Sequence, residues 1–290
     1  MGETTVGQWF GPLVRWALVT RESVDDVAGS VVTLLTDFGL SDTFVGQMKG
    51  EMLSRTPGLT LVDLTHQVPP QSILIGALHL RAAWSAFPPG TVHLVVVDPG
   101  VGSDRRAIAL SWQGHYFVGP DNGVLDGALD GAEPDDVIEI DPRQLHAERI
   151  SRTFHGRDLF APAAAELAGG RSLSDLGSVV DPRSLVRVDV PRAFRDGDTV
   201  HGTILIIDHY GNGITNIAAH LLEGAVARGI EVQCGEFRCS GLAASYAAAE
   251  SDEALALISS MDTLELAVRD GAAATRYDLQ TGAEVTVQFS

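Results

Sequence analysis

An apolar run typical of a buried strand, residues 92–97, leads directly into a carboxylate, Asp98. A Pro-Gly-Val-Gly turn follows, and the paired arginines Arg105 and Arg106 come just before the next apolar run. Such a turn brings the arginines back toward the acid at the end of the strand. In an α/β sheet, ligands bind beyond the carboxyl ends of the strands. The stretch therefore predicts a carboxylate beside a guanidinium at a position where a ligand could bind.

Other predicted strands also end in polar residues, namely Thr36-Asp37, Asp63 and Asp208-His209. Asp is common in caps and turns, so a structural role is the more frequent explanation for any one of them. Asp37 and Asp42 lie on either side of a glycine turn that leads into a predicted helix. One carboxylate can accept two hydrogen bonds from the vicinal hydroxyls of a ribose. The other interpretation, that Asp42 caps the helix, fits the spacing equally well.

Two glycine-containing loops carry further candidates. His155 and Arg157 stand in a turn before a predicted helix, a position suited to acid–base or anion chemistry. The loop at 208–216 is interpreted as too polar for a simple hairpin, and it could seat a base against Tyr210 and hold an ammonium group with Asp208. Residues 119–125, by contrast, are typical of a plain turn.

Composition and missing motifs disfavour several classes of function. The net charge of −18 argues against a nucleic-acid partner, because phosphates favour basic surfaces. The histidines lack metal-ligand spacing, and Cys234 and Cys239 are expected to be structural thiols. No nucleotide-binding glycine loop or G-x-S-x-G motif appears in its required context, and the Asp-Phe-Gly at 37–39 lacks the other kinase motifs. No apolar run approaches the ~18 residues of a membrane span, so a cytoplasmic protein is expected.

The elements that must position these residues follow from periodicity and turn signals. Strands alternating with helices predict an α/β domain with a central mixed sheet. Later in the chain, short strands and turns replace this alternation and predict an antiparallel β-barrel-like domain. The expected division is an N-terminal extension at 1–30, an α/β domain at 31–190 and a C-terminal β domain at 191–290.

Six segments of the chain resemble, in the same order, those of the S-adenosylmethionine hydroxide adenosyltransferases, which are relatives of the fluorinase and chlorinase enzymes. The segments are "TDFGLSDTFVGQMKG", "DLTHQVPP", "VVVDPGVGSDRRAIAL", "GPDNGVL", "FHGRDLFAPAAA" and "DHYGNGITNI". The resemblance covers about residues 31–290 and implies an α/β domain followed by a β-barrel-like domain. It also implies a homotrimer, with each active site between one subunit's N-terminal domain and its neighbour's C-terminal domain.

The reaction that the resemblance implies is displacement at the ribose C5′ of S-adenosylmethionine (SAM), with release of L-methionine. Hydrolases of the family deliver water or hydroxide and form adenosine, whereas halogenases deliver a halide. SAM is then the substrate, and no separate cofactor or metal is implied. The expected partners of the protein are therefore SAM, adenosine and L-methionine.

In the hydrolases, an Asp, an Arg and a His activate the water, and these match Asp98, Arg105 and His155. The halogenases carry an aromatic-containing segment in place of the turn that starts at Asp98, and an insertion shortly afterwards. A carboxylate repels a halide, so Asp98 favours water as the nucleophile.

The remaining roles implied by the resemblance concern binding. Asp42, with Asp37, would hold the ribose hydroxyls. The adenine would be contacted by Tyr210 and Asn212. At the methionine end, Asp208 would bind the ammonium group and Ser260 the carboxylate. Two departures from the family pattern stand at Ser259-Ser260-Met261-Asp262, usually an Asn-Ser segment, and at Gln71, where an aromatic residue is common.

Hydrolysis of SAM is the leading hypothesis. A SAM-dependent halogenase would instead form a 5′-halo-5′-deoxyadenosine when halide is supplied. A non-catalytic sensor of SAM or adenosine would bind its ligand without turnover, and the intact Asp-Arg-His set argues against that alternative.

Overall fold

The computed structural model describes residues 30–146, 150–224 and 229–290. They fall into two compact units, one ending at Asp189 and the other running from Val190 to Ser290. Each unit has its own apolar core. The predicted N-terminal extension, residues 1–30, lies outside the described residues except for Ser30.

The N-terminal unit is built on a seven-stranded mixed sheet, which confirms the predicted α/β fold. Its strands are β1 (Val31–Thr36), β2 (Thr60–Thr65), β3 (Val92–Val96), β4 (Ala107–Trp112), β5 (His115–Pro120), β6 (Asp136–Ile140) and β7 (Gly177–Val179). Their spatial order is β2-β1-β3-β5-β4-β6-β7. β1 pairs in parallel with β2 and β3, and β3 with β5, whereas the pairs β4/β5, β4/β6 and β6/β7 are antiparallel.

The helices of this unit are α1 (Phe44–Arg55), α2 (Ile73–Ala83), α3 (Asp126–Leu129) and α4 (Ala161–Ala168). A single π turn, Gly156–Phe160, leads into α4. α4 is rich in alanine and buried on nearly all sides, so it packs closely within the core of the unit. Within the described ranges, no helix combines the length and the apolarity needed to cross a bilayer.

The parallel strands place their polar ends at one edge of the sheet. β3 is buried along its whole length, as expected for a strand with parallel neighbours on both sides. Thr36 of β1 lies opposite Val96 of β3 in the register. Asp37 and Asp98, which come just after these strands, therefore emerge at the same edge.

The C-terminal unit is an antiparallel sheet of eight strands. They are β8 (Phe194–Asp196), β9 (Thr199–Ile207), β10 (Gly213–Ala218), β11 (Ile230–Cys234), β12 (Phe237–Ser240), β13 (Ala254–Ile258), β14 (Thr263–Val268) and β15 (Glu284–Phe289), with a short helix α5 (Ala273–Tyr277) before β15. The path runs β12-β11-β15-β9-β10-β14-β13, and β8 pairs with β9. Just beyond β12, the N–H of Ala243 donates to the carbonyl of Ala256 in β13 at 2.8 Å, so the two ends of the path meet. The sheet is a nearly closed barrel, which confirms the predicted barrel-like domain.

Two loops differ from the expectation. Residues 119–125 are not a plain turn, because Asp121 is buried and accepts hydrogen bonds from Arg106 Nε at 2.8 Å and from the N–H of Val186 at 2.9 Å. The polar loop that starts at residue 208 is a hairpin connection after all, since Ile207 of β9 pairs with Gly213 of β10. The polar groups of the loop hydrogen-bond to one another, so even this polar segment can connect the two strands of a hairpin.

Two histidines are buried in the sheet of the N-terminal unit. His93 Nδ1 lies 2.8 Å from the hydroxyl oxygen of Thr33, and His93 Nε2 lies 3.2 Å from Nδ1 of His115. The His93 ring also stacks on Phe117, with the centroids 4.8 Å apart. Burial, together with the neighbouring His115, lowers the pKa of His93 from 6.5 to about 3. The native state thus holds His93 neutral under conditions in which an unfolded chain would protonate it.

We expect the free energy of unfolding to fall as the pH drops from 6.5 toward about 3, because only the unfolded chain then binds a proton at His93. Between these two pKa values His93 contributes a slope of about 1.4 kcal/mol per pH unit, and above the unfolded pKa, where both states are neutral, it contributes no slope and stability is not reduced. Urea unfolding at a series of pH values measures the slope, which should be shallower in His93→Gln. The matched control is His220→Gln, at an exposed histidine, which should keep the wild-type slope. Equal slopes in all three proteins would contradict the prediction.

Candidate active site

Asp98 and Arg105 form a buried ion pair at the tip of β3. Arg105 Nε donates to Oδ1 of Asp98 at 3.0 Å, and its Nη2 donates to Oδ2, so the contact is bidentate. Only 4% of the Asp98 side chain and 11% of the Arg105 side chain are exposed. The guanidinium also lies over the ring of Phe160, 5.1 Å from its centroid. The two parallel hydrogen bonds fix the mutual orientation of the carboxylate and the guanidinium.

The turn between the two residues explains how they meet. The N–H of Val101 donates to the carbonyl of Asp98 at 3.2 Å, and the Ser103 hydroxyl donates to the carbonyl of Gly100 at 2.6 Å. Gly102 has a φ of +79°, and a Cβ at this position would lie 2.4 Å from the carbonyl oxygen of Arg152. Only glycine permits so close an approach to the segment that carries His155.

His155 completes the cluster from the residue before the π turn. Its Nδ1 lies 2.8 Å from Nη2 of Arg105. Because a guanidinium only donates, Nδ1 is the acceptor, and the neutral ring carries its proton on Nε2. Burial lowers the pKa of His155 below 6.5, and Arg105 lowers it further, whereas Asp98 and Asp158 act in the opposite direction. The imidazole is therefore neutral near pH 7.

The three side chains offer a small molecule both an acceptor and a donor. Asp98 is held in place by Arg105, and each of its carboxylate oxygens has a lone pair to spare. His155 has an N–H at Nε2. Such a set can orient and polarise a water molecule or bind a hydroxyl group. Within the described ranges, no group of three or more His, Cys, Asp or Glu side chains is placed to bind a metal ion.

Asp37 and Asp42, the acids predicted for a ribose, have different surroundings. Asp37 Oδ2 accepts a hydrogen bond from the N–H of Gln71 at 2.7 Å. Asp42 is exposed, and the N-cap of α1 is Thr43, so Asp42 is not the helix cap. The carboxylate of Asp42 is thus accessible to a ligand, while that of Asp37 is partly engaged by a backbone donor.

Three phenylalanines join the loop of these acids to the segment of His155. The rings of Phe38, Phe44 and Phe154 pack edge to face, with centroids 5.3 to 6.1 Å apart. Phe38 follows Asp37 in the chain, and Phe154 precedes His155. The cluster therefore keeps both segments in one region of the N-terminal unit.

The predicted binding residues of the C-terminal unit centre on Asp208. Its Oδ1 accepts from the N–H groups of Tyr210 at 2.9 Å and Asn212 at 2.8 Å, and Asn212 Nδ2 donates to Oδ2 at 3.3 Å. Tyr210 is 73% exposed, whereas Asn212 is buried. Ser260 is exposed in the turn between β13 and β14, and no hydrogen bond among the described residues joins it to the loop of Asp208. The structure thus groups Asp208, Tyr210 and Asn212 but not Ser260.

Two further residues beside this loop were not predicted from the sequence. Glu265 in β14 is only 3% exposed, and the hydroxyl of Tyr246 donates to its Oε1 at 2.6 Å. The signal for Glu265 was present in the sequence as a single acid inside the apolar run "TLELAV". Burying a carboxyl group is costly unless it has partners, so an acid in a buried strand indicates a specific environment.

Comparison with protein families gives a match for each unit. The SAM hydroxide adenosyltransferase N-terminal domain matches residues 32–177, and the C-terminal domain of the same family matches residues 202–286. The chain belongs to this family. The match confirms the resemblance of the six sequence segments.

Relatives with curated names support the same placement. The (R)-S-adenosyl-L-methionine hydrolase of Salinispora tropica is 43% identical over 195 residues, which are 66% of this chain and 74% of the relative. The enzyme of the same name from Thermus thermophilus is 36% identical over 88% of this chain and 98% of its own. A fluorinase of Nocardia brasiliensis is 28% identical over 89% of this chain and 96% of its own. Of these relatives, the hydrolases are the more similar to this member of the family.

A solved structure has the same fold. The crystal structure of an uncharacterized conserved protein from Thermotoga maritima matches with a TM-score of 0.83 and 33% sequence identity, and the match covers 89% of this chain and 99% of that chain.

The pKa of His155 should shift in opposite directions when either charged neighbour is neutralised. Arg105→Gln removes a positive charge that lowers this pKa, so the pKa should rise, whereas Asp98→Asn removes a negative charge that raises it, so the pKa should fall. Nitrogen-15 NMR titration of the imidazole reports the pKa and the tautomer together. Shifts of the same sign in the two variants, or a proton on Nδ1 in the wild type, would argue against this arrangement.

Gly102→Ala should displace the turn from the segment of His155, because the added methyl group would lie 2.4 Å from the Arg152 carbonyl oxygen. Gly58→Ala is a matched control, since Gly58 also has a positive φ, +90°, but has open space around its Cβ position. We expect Gly102→Ala to lose about 1–3 kcal/mol more stability than the control and to alter the His155 resonances. Urea unfolding and NMR measure the two effects, and equal losses in both variants would contradict the prediction.

Proposed function

We propose that this protein hydrolyses S-adenosyl-L-methionine to adenosine and L-methionine. The observation that carries the proposal is the contact of one side chain, Arg105, with both Asp98 and His155. It occurs in a chain whose relatives include proteins named (R)-S-adenosyl-L-methionine hydrolase. Water is the nucleophile, and the ribose C5′ is the carbon atom that it attacks.

Attack takes place in line with the sulfonium group. The C5′–O bond forms while the C5′–S bond breaks, and the electron pair of that bond leaves with sulfur as the thioether of methionine. The positively charged sulfur is already a good leaving group, so the proposal requires neither an acid to expel it nor a cofactor. The protein's contribution is to place the water in line and to remove its proton.

Asp98 is the group that receives this proton in the proposal. Nδ1 of His155 is occupied by the guanidinium and Nε2 carries a proton, so the imidazole is a donor rather than a base. Asp98 keeps lone pairs for the water while Arg105 holds it in position. The Nε2–H of His155 orients the same water and stabilises its hydroxide character. The proton then passes from Asp98 to solvent.

The same proposal assigns the binding roles. Asp42, assisted by Asp37, holds the ribose hydroxyls, and the exposed ring of Tyr210 packs on the adenine. Asp208 pairs with the ammonium group. Ser260 lies near the opposite end of the β10/β14 pair and is therefore not proposed to bind the carboxylate, which sits on the same carbon atom as the ammonium group. Assembly into a homotrimer is part of the proposal, and light scattering on the purified protein tests it.

A halide is disfavoured as the nucleophile. Asp98 presents acceptor lone pairs, to which a water molecule can donate a hydrogen bond and a halide cannot. The sequence is also less similar to the fluorinase than to the two hydrolases. Hydrolysis is therefore the reaction that the site supports best.

The test is to incubate the pure protein with SAM in oxygen-18 water, with and without chloride or fluoride, and to analyse the products by mass spectrometry. We expect adenosine that carries the heavy oxygen, an equal amount of methionine and no halogenated nucleoside. Asp98→Asn should lower kcat by roughly 10²- to 10⁴-fold, as expected for loss of a general base. Asp104→Asn removes an exposed acid from the same turn and serves as the matched control with wild-type activity.

Each alternative outcome has a clear meaning. A halogenated nucleoside would overturn the choice of nucleophile. SAM that stays intact while bound to the protein would indicate a sensor. A fully active Asp98→Asn variant would remove Asp98 from the mechanism.

A further inference from the structure

Glu265 is a buried carboxyl group that the proposed mechanism does not use. It lies in β14, a strand that is buried along its length, and it pairs in register with Ile214 of β10. It is 3% exposed, and its closest polar partner is the hydroxyl of Tyr246, which donates at 2.6 Å. Burying a carboxyl group in a strand lowers stability, so the groups that contact it indicate what role it has.

Asn212 connects Glu265 to the loop of Asp208. Asn212 comes just before β10, and the register that places Ile214 opposite Glu265 makes Asn212 and Glu265 diagonal neighbours, close enough for Asn212 to lower the pKa of Glu265. Asn212 Nδ2 donates to Oδ2 of Asp208 at 3.3 Å. The other oxygen of Asp208 is held by two backbone N–H groups. One amide group thus lies between two carboxyl groups, one of them buried and the other in the loop proposed to bind an ammonium group.

The charges around this pair are unbalanced. In the part of the chain that the structure describes, no lysine or arginine forms an ion pair with Asp208 or Glu265, and Arg269 and Arg276 pair with other carboxylates. Burial raises the pKa of Glu265, and the negative charge of Asp208 raises it further, while the hydrogen bond from Tyr246 and the nearby Asn212 amide act in the opposite direction. A cation placed at Asp208 would relieve this imbalance.

We propose that Glu265 is a positioning residue that makes the site select a substrate with a positively charged amino group, and that it acts through Asn212 and Asp208. The inference rests on the proposed function, because it takes Asp208 as the partner of the substrate ammonium. Glu265 orients the Asn212 amide, and its carboxylate adds a second negative charge near Asp208 that attracts the substrate ammonium group. Tyr246 holds Glu265 in place from the other side.

The test compares SAM with its deaminated analogue, a sulfonium that keeps the carboxylate but lacks the amino group. Glu265→Gln preserves the shape of the side chain and removes its charge. We expect it to raise the KM for SAM roughly tenfold or more, to change kcat by less than about threefold, and to leave the KM for the analogue unchanged. Glu284→Gln, at a side chain that is 75% exposed in the same unit, is the matched control and should behave as wild type.

Tyr246→Phe provides a second variant that leaves Glu265 in place. It should raise the KM for SAM in the same direction by a smaller factor, and it keeps the proposal testable if Glu265→Gln fails to fold. Equal increases in KM for the two substrates, or a fall in kcat with no change in KM, would assign Glu265 a structural role only and overturn the inference.

Failure of the proposed function gives a different result. If the wild type does not turn over SAM, hydrolysis is wrong, and titration calorimetry with SAM and the deaminated analogue then measures the same preference directly. A wild-type protein that binds both sulfoniums equally would overturn the role of Glu265 in that case.

Discussion

The bidentate ion pair between Asp98 and Arg105 is the interaction on which the polar edge of the N-terminal unit depends. A carboxylate that is almost fully shielded from water is unfavourable without a partner, because its desolvation costs several kcal/mol. The partner comes from the same turn, and Phe160 covers one face of its guanidinium. Arg105 has donors to spare after binding Asp98, so it can also fix the ring and the tautomer of His155. One arginine thereby determines the geometry of the whole cluster.

The architecture of both units was predictable because it follows from local patterns. A short stretch of sequence is enough to predict burial in each of three elements: the apolar run of β3, the helical spacing of α1 and the alanine-rich α4. The dense turns after residue 190 predict antiparallel strands for the same reason. The strand order was not predictable in detail, because it depends on pairings between segments that are distant in the chain.

The candidate site was predictable in its residue types and less so in its contacts. Arg105 and Arg106 are neighbours in sequence, yet only Arg105 pairs with Asp98, whereas Arg106 pairs with Asp121 beyond β5. The choice between them is made by a partner that no local pattern reveals. Glu265 is a similar case. Its carboxyl group inside an apolar run was visible in the sequence, but the position of the Asn212 amide between Glu265 and Asp208 was not. Tertiary contacts, rather than composition, decide which polar residues act together.

Gly102 lies so close to the carbonyl of Arg152 that the turn at 98–105 and residues 150–155 depend on each other's backbone position. No side chain separates the two backbones, so neither segment can lengthen or change its path without the other. Homologous recombination that exchanged only one of them would produce a chimera with mismatched surfaces. Anyone who transplants the turn at 98–105 into a related scaffold must therefore transfer residues 150–155 with it.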